Sequence, residues 1–200
     1  MSETPQITTT QNYYSGKEFR LNFPLQLKFD LIKLYQITFK EDPYNEEYSL
    51  QEAWQTLTSD ARKKESLIYL EKDESERPVL FVSFFVTNLR NLIEEVYEDD
   101  PNLKSFFDEI LDNDFVYLSE IFADKLVRPK GNLAELKSIL TKASEQFTCK
   151  TFFLSTQTPA VVNKFRSLAL QNNWEIKIFE PSETNYGGYS FITLNINNNL

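Results

Sequence analysis

Between residues 114 and 173 the spacing of apolar residues switches period repeatedly, and that alternation narrows the folds open to this chain more than any other feature. DFVYLSEIFAD (114–124) is an apolar, aromatic run of strand length. From Gly131 the spacing turns helical, with Leu133, Leu136, Ile139, Leu140, Ala143 and Phe147 on one stripe. CKTFFLST (149–156) reads as a short buried strand. TPAVVNKFRSLALQNN (158–173) reads as a helix with Thr158 as N-cap and Pro159 at its first position. Strand, helix, strand, helix in succession predicts an α/β fold with helices packed on a sheet.

The rest of the chain extends the pattern. FRLNFP (19–24) is a short extended run stopped by Pro24. LQLKFDLIKLYQITF (25–39) sets Leu27, Leu31, Leu34 and Tyr35 at helical spacing. KEDPYNEEYS (40–49) is a turn, and Ser49 with Glu52 makes a capping box for a second helix. SLIYLEK (66–72) and PVLFVSFFVTN (78–88) form a hairpin across DESER. Residues 89–112 are helical in two pieces, broken at Asp100-Pro101. WEIKIFEP and YSFITLNI are the last strands, joined by SETNYGG. With no internal repeat and no low-complexity linker, a single domain is expected over 19–196, with 89–113 as an acidic helical insert. Residues 1–18 are expected to be a disordered polar tail and 197–200 a short polar end.

Residue types remove several chemistries. The 200 residues hold no histidine and one cysteine, Cys149. The usual zinc and copper ligand sets are therefore missing, so no metal site is expected, and neither Ser-His-Asp nor Cys-His activation is available. Carboxylates, hydroxyls, lysines and backbone amides remain. A lone cysteine suits a reducing compartment, and the polar start of the chain lacks the apolar stretch of a secretory signal, so a cytoplasmic location is expected. No run is long and apolar enough for a membrane span. The net charge is −9, and residues 94–114 carry nine carboxylates against Lys104 alone. Such a stretch repels nucleic acid and anionic membrane; it is either a solvated face or a surface for a cationic partner. The sequence carries no signal of oligomeric state.

Gly131 is one of only four glycines, and it stands in VRPKGNLAEL (127–136), where strand gives way to helix. Two roles suit it. It can be a turn residue that needs positive φ, or it can let the backbone close on a phosphate at a helix N-terminus, where unpaired amides and the helix dipole favour an anion.

EIFADKLVRPKGNLAELKSIL (120–140) resembles the pyrophosphate-binding segment of the GNAT superfamily, the acyl-CoA-dependent N-acetyltransferases. That pattern is a strand with an acidic residue, a short turn, then Arg/Gln-x-x-Gly-x-Gly/Ala opening a helix; Arg128, Gly131 and the interval back to Glu120 follow it. DPYNEE (42–47) is similar to a turn between the first two helices in one branch of the family, FVYLSEI (115–121) to its fourth strand, and FFLSTQTPA (152–160) to the next strand and turn. The resemblance covers about residues 19–196. It implies a mixed central sheet flanked by helices, and an acetyl group moved from acetyl-CoA to an amine on a small molecule or protein by direct attack. It also implies site residues. Glu120 would be the base, with Tyr117 a substitute hydroxyl. Phe122 and Ala123 would offer backbone N–H groups to the thioester. Arg128, Pro129, Lys130, Gly131, Asn132 and Leu133 would form the phosphate loop, with Asn163 a further cofactor contact. Asn45 and Glu46 would lie on the acceptor side. On the residues alone, Glu120 is also readable as an exposed strand residue or as a partner for a neighbouring lysine, and Tyr117 as a packing residue.

Two positions depart from the family pattern. Leu133 stands where Gly or Ala is usual, and residues 158–174 hold no tyrosine to protonate the leaving thiolate. Both features suit the alternative of a GNAT fold that has lost catalysis and works as a binding or regulatory protein through its acidic surface.

Overall fold

The computed structural model of this protein describes residues 10–41, 44–95, 114–124, 133–180 and 188–196. It is an α/β structure whose seven strands are hydrogen-bonded in the order β1-β2-β3-β4-β5-β7-β6. In chain order these are β1 (Thr10–Ser15), β2 (Ser66–Lys72), β3 (Pro78–Thr87), β4 (Phe115–Ala123), β5 (Thr151–Thr156), β6 (Glu175–Phe179) and β7 (Ser190–Asn195). The helices are α1 (Gly16–Leu21), α2 (Leu25–Phe39), α3 (Leu50–Ser59), α4 (Leu89–Glu95), α5 (Leu133–Phe147) and α6 (Pro159–Asn172), with a 3-10 turn at Asp60–Arg62. The sheet is mixed: β4 and β5 are parallel, whereas β1 with β2, β5 with β7, and β6 with β7 are antiparallel. Contacts divide the chain into two compact units. One takes the described residues up to Ser83 and from Glu120 to Asp124; the other takes Phe84–Ser119 and the described residues from Leu133 on.

The first unit begins earlier than the sequence reading had it. Residues 10–18 are not tail: Thr10–Ser15 pairs along β2, from Thr10 opposite Lys72 to Ser15 opposite Leu67. FRLNFP is not a strand either, since Phe19, Arg20 and Leu21 close α1. The cause is a capping box. Ser15 accepts from the Glu18 amide while the Glu18 carboxylate accepts from the Ser15 amide at 2.8 Å. A six-residue helix is too short to show a 3.6-residue period, and β1 is held by backbone pairing and by tyrosine rings, Tyr13 on Tyr69 and Tyr14 on Phe23. The box at Ser49 and Glu52 forms as the sequence predicts.

The core of this unit gathers one face each of α2, α3, β2, β3 and β4. Leu31, Tyr35, Leu57, Ile68, Phe81 and Phe122 are its centre. The hairpin turn between β2 and β3 is tied by Asp73, whose carboxylate accepts from the Ser75 and Arg77 amides and pairs with the Arg77 guanidinium at 2.8 Å. Glu76 takes the positive φ of 61° that closes it.

In the second unit a column of aromatic rings holds the sheet. Phe153 lies 5.9 Å from Phe115, 5.8 Å from Tyr117 and 5.8 Å from Phe191. Leu136, Ile139, Leu140 and Ala143 of α5 are buried, as their spacing predicts. Pro159 opens α6, and Asn173 ends it in the left-handed conformation (φ 55°). Thr158 is the N-cap by backbone, although its side chain makes no capping hydrogen bond. Of the acidic insert, only 89–95 falls within the described residues, as α4. No described helix is long and apolar enough to cross a membrane.

Candidate active site around Glu120

Glu120 sits on β4 in the first unit. The Asp124 amide donates to the Val79 carbonyl at 2.8 Å, and two residues further along both strands Phe81 and Phe122 stack with centroids 4.9 Å apart. The contacts thus step antiparallel along the two strands. Alternation puts Ser83 on the face that holds Phe81, the face covered by α2 and α3, and the charge of Glu120 bears on Tyr35 and Tyr48 from those same elements.

The polar groups that bear on Glu120 come from α2, the loop before α3 and the 3-10 turn. Tyr35 comes from α2; its ring is 1% exposed, stacks on Phe39 at 4.4 Å, and meets Tyr48 and Phe122 edge-on. Tyr48, from the loop before α3, donates its hydroxyl proton to the Glu46 carboxylate. The Tyr35 hydroxyl is hydrogen-bonded to that of Tyr48. Since the Tyr48 proton is given to Glu46, Tyr35 is the donor in that pair. Burial, then the nearby Glu120 charge, pushes Tyr35 far up. Burial, then the bond to Glu46, pushes Tyr48 up to about 12. Both phenols are therefore protonated at any physiological pH and act as hydrogen-bond donors.

Asp60 enters from the 3-10 turn. It is 7% exposed, and the fully buried Ser83 hydroxyl donates to it at 2.8 Å. Glu120 itself is half-buried, and no hydrogen bond or ion pair of its carboxyl is found among the described residues. Burial first, then the charges of Asp60 and Glu46, pushes its carboxyl up to about 8. A carboxyl in that state is mostly protonated at neutral pH and becomes an effective base just above it, the range in which a base can take a proton from an ammonium group. The lysine-paired alternative for Glu120 finds no such contact among the described residues.

The other candidates fall in different places. Phe122 is 3% exposed, and its ring is core. Ala123 ends β4. Tyr117, in the second unit, is 6% exposed and packed between Phe85 and Phe153, so its ring belongs to the aromatic column. Asn45 is exposed with φ 52°, its amide donating to the Glu41 carbonyl, and Glu46 next to it has an amide that donates to the Phe39 carbonyl. This left-handed turn brings Glu46 back toward Tyr48 while Glu47 pairs with Lys40 at 2.7 Å. Asn163 is exposed on α6 and accepts from Arg166 at 3.0 Å. Arg128, Pro129, Lys130, Gly131 and Asn132 lie outside the described residues, and Leu133 opens α5. No group of metal-ligating side chains occurs among the described residues.

Sequence reading missed Tyr35 as a polar group, and missed Tyr48, Asp60 and Ser83. Ser83 carried a signal: a hydroxyl in the middle of the apolar run VLFVSFFV must be buried, and a buried hydroxyl needs a partner. Tyr35 looked like one more member of an apolar stripe. Asp60, at the end of a helix before ARKKE, carried no signal.

Solved acetyltransferases of the GNAT family share this fold. The chain is similar to a NatC complex structure bound to Gag peptide and CoA, with 13% identity, a TM-score of 0.56, and coverage of 94% of this chain and 99% of that one. It is also similar to the diaminobutyrate acetyltransferase EctA from Paenibacillus lautus, in complex with L-2,4-diaminobutyric acid and coenzyme A (10% identity, TM-score 0.53, 96% and 99% covered). An acetyltransferase of GNAT family from Streptococcus pneumoniae matches at 10% identity and a TM-score of 0.52, over 94% and 97% of the two chains. Neither a protein-family model nor a curated relative matches the sequence.

Proposed function

We propose that this chain is a divergent GNAT N-acetyltransferase that moves an acetyl group from acetyl-CoA to an amine, with Glu120 as general base. The observation that carries the reading is Glu120: a half-buried strand carboxyl, pushed up to about 8, on the fourth strand of an acetyltransferase fold. Acetyl-CoA, the co-substrate, supplies an activated acyl group as a thioester. Glu120 takes the proton from the acceptor ammonium, freeing the nitrogen lone pair. The nitrogen–carbon bond then forms at the thioester carbonyl as the carbon–sulfur bond breaks, and the electron pair leaves on sulfur. Backbone N–H groups near Phe122 and Ala123 are the proposed donors to the carbonyl oxygen. Arg128, Lys130 and Gly131, with Pro129, Asn132 and Leu133, are the proposed phosphate loop, and Asn163 a further contact. Glu46 and Asn45 border the acceptor. Three carboxyl groups around one site favour a cationic amine over a neutral one. We place the protein in the cytoplasm, where a chain with one cysteine stays reduced.

Phe165, the only aromatic residue in α6, is fully buried and has no proton to give. This supports a second reading, a GNAT fold that binds a partner without turnover. Release of free thiol from acetyl-CoA in the presence of a panel of primary amines, with the Glu120→Gln variant alongside, decides between them. Amine-dependent thiol release that the variant loses supports transfer. Its absence from the unaltered protein with every amine supports the second reading.

A further inference from the structure

Leu25, Phe29, Lys33 and Ile37 follow one another at four-residue intervals along α2, so they form one ridge of that helix. Leu27, Leu31, Leu34, Tyr35 and Thr38 take the opposite, buried side. Leu25 is 68% exposed, Ile37 57% and Phe29 42%. Three of the six large apolar side chains left in solvent among the described residues thus share one ridge, which makes a patch rather than a scatter. Lys33, in its middle, is exposed and makes no ion pair among the described residues. The ridge has two flanks. On one, Ile32 is buried and the Lys28 ammonium lies 4.2 Å over the Trp54 ring, so that groove is filled from α3. On the other, Gln26 donates to the Asp30 carboxylate at 3.0 Å, and this side stays reachable from solvent.

We propose that this ridge joins two copies of the chain, α2 against α2, antiparallel across a two-fold axis. A two-fold contact needs a surface that complements itself, and the order of residues here does so. With the axis at the level of Leu31, Leu25 meets the partner's Ile37, Gln26 meets the partner's Gln36, and Phe29 meets the partner's Lys33. The partner's Lys33 then also lies one position from Asp30, whose carboxylate has room for a donor besides Gln26. Each copy's unpaired cation therefore comes against an aromatic ring and a carboxylate of the other. Parallel pairing would instead set Lys33 against Lys33, which like charge disfavours. Ridges of four-residue spacing interlock in helix pairs that cross at about −50°.

Sedimentation equilibrium of the full chain tests this. The mass of the unaltered protein is expected to rise with concentration from 23.5 kDa toward twice that value. Phe29→Glu and Ile37→Glu each weaken association by about tenfold or more, with circular dichroism unchanged because both positions are exposed. Charge reversal reads the register. Asp30→Lys alone sets a lysine beside the partner's Lys33 and weakens association; adding Lys33→Asp exchanges the signs and restores it. A 23.5 kDa monomer at every concentration overturns the inference and leaves the ridge to a different chain. A dimer that survives both Phe29→Glu and Ile37→Glu uses another face and overturns it too. If the double exchange does not recover what Asp30→Lys loses, the antiparallel pairing is wrong.

Discussion

Two single residues show how closely this fold is fitted. At Gly16 an added Cβ would meet the Ala61 carbonyl oxygen at 2.3 Å and the Ser66 Oγ at 2.0 Å. The serine hydroxyl can swing away; the carbonyl belongs to the 3-10 turn that carries Asp60 and cannot. Gly16→Ala is expected to cost about 1–3 kcal/mol by overpacking, read as a lower urea midpoint with an unchanged slope. It should also disturb Glu120, since the turn it displaces holds Asp60. Glu120→Gln keeps the shape of the side chain and removes the proposed base. It is expected to lower kcat/KM for acetyl transfer by about 10²–10⁴-fold, with the folded state intact by circular dichroism. At this scale the sequence pointed to Glu120 and not to its setting. Glu120 was visible through its interval to Gly131, but Asp60 and Ser83 meet only because a 3-10 turn and a strand converge.

Elements were legible where the local signal is strong and repeated. Helices α2 and α5 follow their stripes, α6 opens at Pro159, and α3 starts after the serine its capping box names. Ser49→Ala is expected to cost about 1 kcal/mol, seen as a lower melting temperature, because the Glu52 amide loses its acceptor. The first strand and α1 were not legible for the opposite reason. TQNYYS is polar, and its order comes from six residues paired to β2, a partner more than 50 positions away. The Ser15 and Glu18 box was in the sequence, but with no apolar run long enough behind it to draw attention.

Across the whole molecule, Glu120 links protonation to stability. Its carboxyl is raised in the folded chain, so between the ordinary carboxylate range and about 8 the folded state holds a proton that the unfolded chain has released. Stability therefore falls as pH rises through that window and levels off above it. Glu120→Gln should flatten this slope and melt a few degrees higher than the unaltered protein at pH 7.5, checked by thermal melts from pH 5 to 9. The overall order of strands and helices was readable because α/β alternation is a pattern of period. The surroundings of Glu120 were only partly readable because their groups come from α2, a loop, a turn and two strands.

The most direct test of Glu120 as the base of an amine acetyltransferase is the pH dependence of kcat/KM for acetyl transfer from acetyl-CoA to a primary amine. The account predicts a rate that rises about tenfold per pH unit and turns over near pH 8, with the turnover absent and the rate low in Glu120→Gln. Equal rates and equal profiles in the two proteins would contradict it.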